Sequence, residues 1–161
     1  MNGRCNLDIS LRLKGWIVFS TAVIVLLFVT VTYVTADEAR SPWPVPENAR
    51  NAKNPIKPSA EGLKTAAQLY HQNCELCHSE SGSSTGLTAK NLPRTPASFT
   101  DARMMDKATD GELFWKITEG RLPMPSYKHQ LSETERWQLV NYLRQLVIRA
   151  KYQYLGNKNT R

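Results

Sequence analysis

Five consecutive residues, Cys74-Glu75-Leu76-Cys77-His78, limit what this chain can be more than any other feature of it. Two cysteines three apart, with a histidine directly after the second, form the C-x-x-C-H pattern of covalent haem attachment. The spacing follows from the chemistry. Two thiols separated by one tight turn can add across the two vinyl groups on one edge of a haem. The histidine is then held beneath the iron, where a neutral imidazole nitrogen can bind axially. The competing readings of a C-x-x-C pair are a disulfide redox couple, half of a zinc site, or two structural cysteines. A redox couple of the thioredoxin kind sits in a βαβ pattern, which this sequence lacks. A zinc site needs further ligands, and there is no second C-x-x-C and no H-x₃-H pair.

Cysteine use agrees with the haem reading. The 161 residues include three cysteines, Cys5, Cys74 and Cys77, so no disulfide framework is implied once two of them hold haem. The net charge is +7, and from Asp37 onward 18 basic residues against 13 acidic ones leave +5. That excess suits steering toward partners with acidic docking surfaces. It is not a nucleic-acid footprint, because no Lys/Arg block with interleaved aromatics occurs.

From Trp16 to Ala36 no charged residue appears, and about 20 such residues suffice for a helix to cross a bilayer. Arg4, Arg12 and Lys14 precede this run, while Asp37 and Glu38 follow it. The expectation is a basic cytoplasmic N-terminus (1–15), a transmembrane anchor (16–36) and an exported remainder. The alternative is a signal peptide cleaved after Ala36, giving a soluble periplasmic protein; the length of the apolar run favours a retained anchor. Cys5 precedes the run and so does not fit a lipoprotein. Residues 37–52 then read as a Pro-rich linker. Pro42-Trp43-Pro44-Val45-Pro46 favours polyproline II, with a surface strap through Trp43 and Val45 as the competing reading.

The rest is expected to be an all-α domain (53–148) and a basic flexible tail (149–161). Leu63, Ala66, Ala67 and Tyr70 form one apolar helical face after Ser59 and lead straight into Cys74. A Gly/Ser-rich loop and an irregular stretch to Thr100 follow His78. Thr109-Asp110-Gly111-Glu112 reads as a capping box with Glu112 reaching back, opening a helix that buries Leu113, Phe114 and Ile117 and stops at Gly120. Ser132-Glu133-Thr134-Glu135 opens another, with a stripe through Trp137, Val140, Leu143 and Val147. A domain this small has a thin core, which a buried haem would fill out.

The second axial ligand has five candidates: Met104, Met105, Met124, His71 and His129. Met124 stands between Pro123 and Pro125, on a loop framed by Gly120 and a following helix, and so is presented rigidly. Met104 and Met105 precede the second helix without such a frame, and one of them is expected to pack in the core. His71 and His129 suit solvent.

With these residues in view, the stretch from Asn54-Pro55 to Leu146 resembles a class I monohaem cytochrome c domain. The matching parts are Tyr70, Cys74-x-x-Cys77-His78, Asp110-Gly111-Glu112-Leu113 leading to Gly120, Met124-Pro125-x-Tyr127, and a closing helix with Trp137 and Tyr142-Leu143. The resemblance implies one covalent haem c, with His78 and Met124 as axial ligands and electron transfer as the function. It also implies attachment outside the bacterial cytoplasm, redox proteins as donor and acceptor, and no small-molecule substrate. Two further readings keep the haem: a subunit fixed to a larger respiratory oxidase or dehydrogenase, and a haem enzyme or gas sensor with a labile sixth ligand. The chain departs from the family at Ala66 and Ser79, where glycine is commoner. It also lacks a proline soon after Gly86, so the carbonyl that orients His78 is not identified by the pattern.

Overall fold

The structure is a computed structural model that describes residues 43–159. The chain divides into two units, Met1–Trp43 and Pro44–Arg161, and all described residues but Trp43 belong to the second. The expected anchor at 16–36, the cleavage point at Ala36 and Cys5 lie outside the described residues. Among those described, no helix is long and apolar enough to cross a membrane. Every described element is helical, apart from one isolated bridge between Arg121 and Met124.

Among the described residues six α-helices occur: α1 (Glu47–Asn51), α2 (Ala60–Asn73), α3 (Glu75–His78), α4 (Ala102–Lys107), α5 (Asp110–Glu119) and α6 (Glu133–Asn159), with a 3₁₀ turn at Ala89–Asn91. Helix α2 starts where expected, with the Ser59 side chain accepting from the Gly62 N–H at 3.1 Å. Its inner face crosses α6 in the most extensive helix contact of the domain. Ala66 (0% exposed) and Tyr70 (1%) lie in that crossing against the α6 stripe, where Leu139, Val140, Leu143, Leu146 and Val147 are all buried. The rings of Tyr70 and Tyr142 stand 5.2 Å apart across it.

The Ser132 box on α6 is complete. Ser132 Oγ accepts from the Glu135 N–H, and the Glu135 carboxylate accepts in turn from the Ser132 N–H. The Thr109 box is only half made. Thr109 caps Glu112 N at 3.1 Å, but the Glu112 carboxylate turns to Lys116 and Arg50 instead of reaching back. The reason is α1, whose Arg50 carbonyl accepts from Thr109 Oγ1 at 2.6 Å. Gly120 ends α5 at φ 64°, a left-handed position that favours glycine.

Three stretches differ from the sequence expectation. Within the presumed linker, residues 47–51 form α1, a helix too short to persist alone. Its place depends on the Arg50 contacts to Thr109 and Glu112, and on Asn54, which donates to the Trp137 carbonyl and the Asn141 side chain of α6. Met104 and Met105 do have a frame: they sit on α4, whose N-terminus is capped by Asp101, and Met105 is fully buried. The basic tail continues α6 through residues 149–159, because no proline interrupts it and Lys151 pairs with Asp106 of α4.

Candidate haem site

Helix α2 delivers Cys74 as the residue that caps its C-terminus, and the backbone turns at once into α3, where Cys77 N and His78 N both donate to the Cys74 carbonyl. The two thiols therefore stand one turn apart. Burial pushes the Cys74 thiol up to about 12, with Cys77 the next cause, so this sulfur is held uncharged, as a thioether sulfur also is. Cys77 Sγ lies 3.3 Å from Thr88 Oγ1.

His78 is 9% exposed. Its Nδ1 donates to the Ala97 carbonyl at 3.0 Å. A carbonyl can only accept, so that nitrogen carries the proton and Nε2 keeps a bare lone pair, the form in which imidazole binds a metal. Burial lowers the histidine's pKa, opposed in part by the Ala97 bond, and so keeps the ring neutral. The Phe99 ring stacks on it at 4.7 Å and 23°. Ala97 follows Pro96, so the orienting carbonyl does come from a proline loop, but one that lies nineteen residues beyond the histidine.

At Ser79, where glycine is commoner, the backbone has φ 63° and ψ 162°. This is a costly region for a side chain, and several bonds hold it. Tyr70 Oη donates to the Ser79 carbonyl at 2.8 Å, Ser79 N donates to Glu75 O at 2.7 Å, and Ser79 Oγ accepts from Ser83 N at 3.0 Å.

Met124 is half-buried against the core. It closes a tight turn with Arg121 through two backbone bonds of 3.0 and 2.9 Å. The loop after it is fastened on several sides. Ser126 Oγ donates to Thr118 O at 2.6 Å, Tyr127 N to Ile117 O at 3.2 Å, and Tyr127 Oη to Asn73 O at 2.7 Å, directly before Cys74. Burial is the main cause that pushes the Tyr127 phenol up to about 12. Of the other four candidates, His71 is exposed and paired with Glu75, His129 is exposed, Met105 is fully buried in the core and Met104 is half-buried against it on α4.

The donor set fits a haem. Two sulfurs stand one turn apart, a neutral imidazole offers Nε2, and a thioether sits on a fastened loop. The same segments carry Leu76, Leu87 and Leu122, which are 56%, 83% and 90% exposed, apolar surface of the kind a porphyrin covers. Three contributors escaped the sequence reading: the Ala97 carbonyl, the Phe99 ring and Arg136, whose guanidinium reaches the loop after Met124. Pro96 was the available signal for the first. For Arg136 it was a charged residue beside the apolar stripe of α6.

Among solved structures, a chain of the reducing HAO-like protein complex of Kuenenia stuttgartiensis is similar to this one. The identity is 27% and the TM-score 0.51, over 70% of this chain and 54% of that one, so the chain spans about half the length of that structure. The c-type cytochrome KustC0563 is 30% identical over 50% of this chain and 95% of its own, with a TM-score of 0.45. No curated protein matches. The family profile described as cytochrome c oxidase, cbb3-type, subunit III matches residues 61–143, just over half of the 161. That match runs from the first turn of α2 into α6 and takes in both cysteines, His78 and Met124: the chain belongs to this cytochrome c family, and its cofactor is covalently bound haem c.

Proposed function

We propose that the chain carries single electrons at the outer face of a bacterial inner membrane. In this reading Cys74 and Cys77 form the thioethers, and His78 and Met124 are the axial ligands. The observation that carries it is the buried His78, whose Nδ1–H is committed to Ala97 O and whose Nε2 is left bare. Bound there, the haem would supply a one-electron couple, whose potential a histidine–methionine pair would raise. The protein's own part is to orient and exclude. Ala97 and Phe99 fix the imidazole plane, the Arg121–Met124 turn presents the thioether, and Tyr70 holds the turn after His78. The apolar run at 16–36 anchors the domain, or is removed after Ala36 to release it. The +5 excess from Asp37 onward steers acidic redox partners.

Intact mass and visible to near-infrared spectra of the membrane fraction test this together. The expected mass is the uncleaved chain plus one haem, with a thioether-to-iron charge-transfer band in the oxidised form. A high-spin spectrum without that band sinks the Met124 assignment. A mass lacking residues 1–36 replaces the anchor by the soluble form.

A second reading is a haem subunit fixed to a larger respiratory complex. It is supported by the family's description as an oxidase subunit and by the similar chain from a protein complex. Co-purification of other subunits after mild detergent extraction supports it, and a particle of this chain alone counts against it.

A further inference from the structure

Arg136 is a buried cation on α6. It is 8% exposed, and among the described residues no acidic side chain pairs with it. Its Nη1 donates to the carbonyls of Lys128 and Leu131, each at 2.8 Å, and more weakly to that of Tyr127 at 3.4 Å. The guanidinium carbon lies 5.3 Å over the Phe114 ring, which is stacked on Trp137 at 3.9 Å. A buried charge is costly unless its surroundings solvate it; here carbonyl dipoles meet Nη1 and a ring face lies under the guanidinium, while Nε is buried with no hydrogen-bond partner among the described residues. Helix α6 has its own start in the Ser132–Glu135 box, so Arg136 is not needed as a cap. All three carbonyls belong to one loop, residues 127–131, which begins three residues after Met124.

The same loop is tied to the other side of the site. Tyr127 Oη donates to Asn73 O at 2.7 Å, on the residue before Cys74. We propose that Arg136 is a positioning residue for the second axial ligand. It clamps the 127–131 loop, and through Tyr127 it sets the span between the Met124 side and the Cys74 side of the haem. The inference rests on Met124 being that ligand. What the clamp governs is how readily another ligand replaces the thioether, because a loop held in place costs the thioether little to rebind while a released loop lets it drift away.

The test is imidazole competition in the oxidised, haem-loaded full chain in detergent, followed by loss of the thioether-to-iron band. Arg136→Met is expected to bind imidazole about tenfold more tightly than the parent, which corresponds to about 1.4 kcal/mol, with Arg136→Lys in between. Tyr127→Phe, which removes one hydroxyl and leaves the ring, is expected to shift affinity in the same direction and remains informative should Arg136→Met not fold. Unfolding midpoints of the same proteins separate the clamp from plain stabilisation. Lower midpoints with unchanged imidazole affinity in both Arg136→Lys and Tyr127→Phe overturn the clamp. A parent protein with no thioether band overturns instead the ligand reading beneath it.

Discussion

Replacing Gly86 by alanine sets one methyl group against the turn that carries Cys77 and His78. At this position a Cβ would lie 2.4 Å from the Leu76 carbonyl oxygen and 2.6 and 2.7 Å from the carbonyl carbon and oxygen of Cys77. All three atoms are backbone, so no side chain can swing aside. Real Cβ contacts essentially never fall under 3.0 Å, so loop and turn must part by at least 0.6 Å. Two bonds span that gap, Thr88 N and Thr88 Oγ1 to the Leu76 carbonyl at 3.1 and 3.0 Å. Losing both costs about 2 kcal/mol at roughly 1 kcal/mol each. Against this, alanine restricts the unfolded chain and returns about 0.4–1 kcal/mol. The balance is a loss of about 1–2 kcal/mol, or roughly 5–15 °C in Tm for a domain of this size. Guanidinium unfolding of the haem-loaded protein, followed at the haem absorbance, measures it. Intact mass reads whether haem attachment has fallen, as displacement of Cys77 leads one to expect. A Gly86→Ala protein with full haem and an unchanged or higher midpoint would refute the close packing of this loop on the turn.

Asn54→Ala removes the amide that bonds to Trp137 O and Asn141 and the carbonyl that caps Ile56 N. It should lower stability by about 1–3 kcal/mol and speed proteolysis within residues 44–56; if that segment is a free linker, neither will change. Glu135 is held below the ordinary glutamate range by the Ser132 hydroxyl first and the Ser132 N–H second. Because the folded value is the lower one, its contribution is present above the unfolded glutamate pKa of about 4.3 and is lost as pH falls through the folded value. The melting advantage of the parent over Glu135→Gln should therefore exist at neutral pH and close in acid; an advantage constant with pH counts against the carboxylate cap. Cys74→Ser/Cys77→Ser, which cannot hold haem covalently, should give a protease-sensitive domain without native near-ultraviolet dichroism, and a resistant one would show that the helices pack without the cofactor.

What the sequence determined by itself is what forms between residues a turn or less apart. The C-x-x-C-H turn, the caps at Ser59, Thr109 and Ser132 and the stop at Gly120 all rest on contacts within about four positions, and the α6 stripe shows as a helical period; each leaves a periodic or motif signature. The turn alone was enough to identify the cofactor. Tertiary structure decided the rest. It chose Ala97 O as the acceptor for His78, docked residues 47–56 on α5 and α6, and drew Glu112 away from its cap to Arg50 and Lys116. It also placed Arg136 under the loop that follows Met124. The reason is common to all of these. A backbone carbonyl is present at every residue, so nothing in the side-chain pattern marks which one a distant histidine or arginine will find until packing has brought the two together.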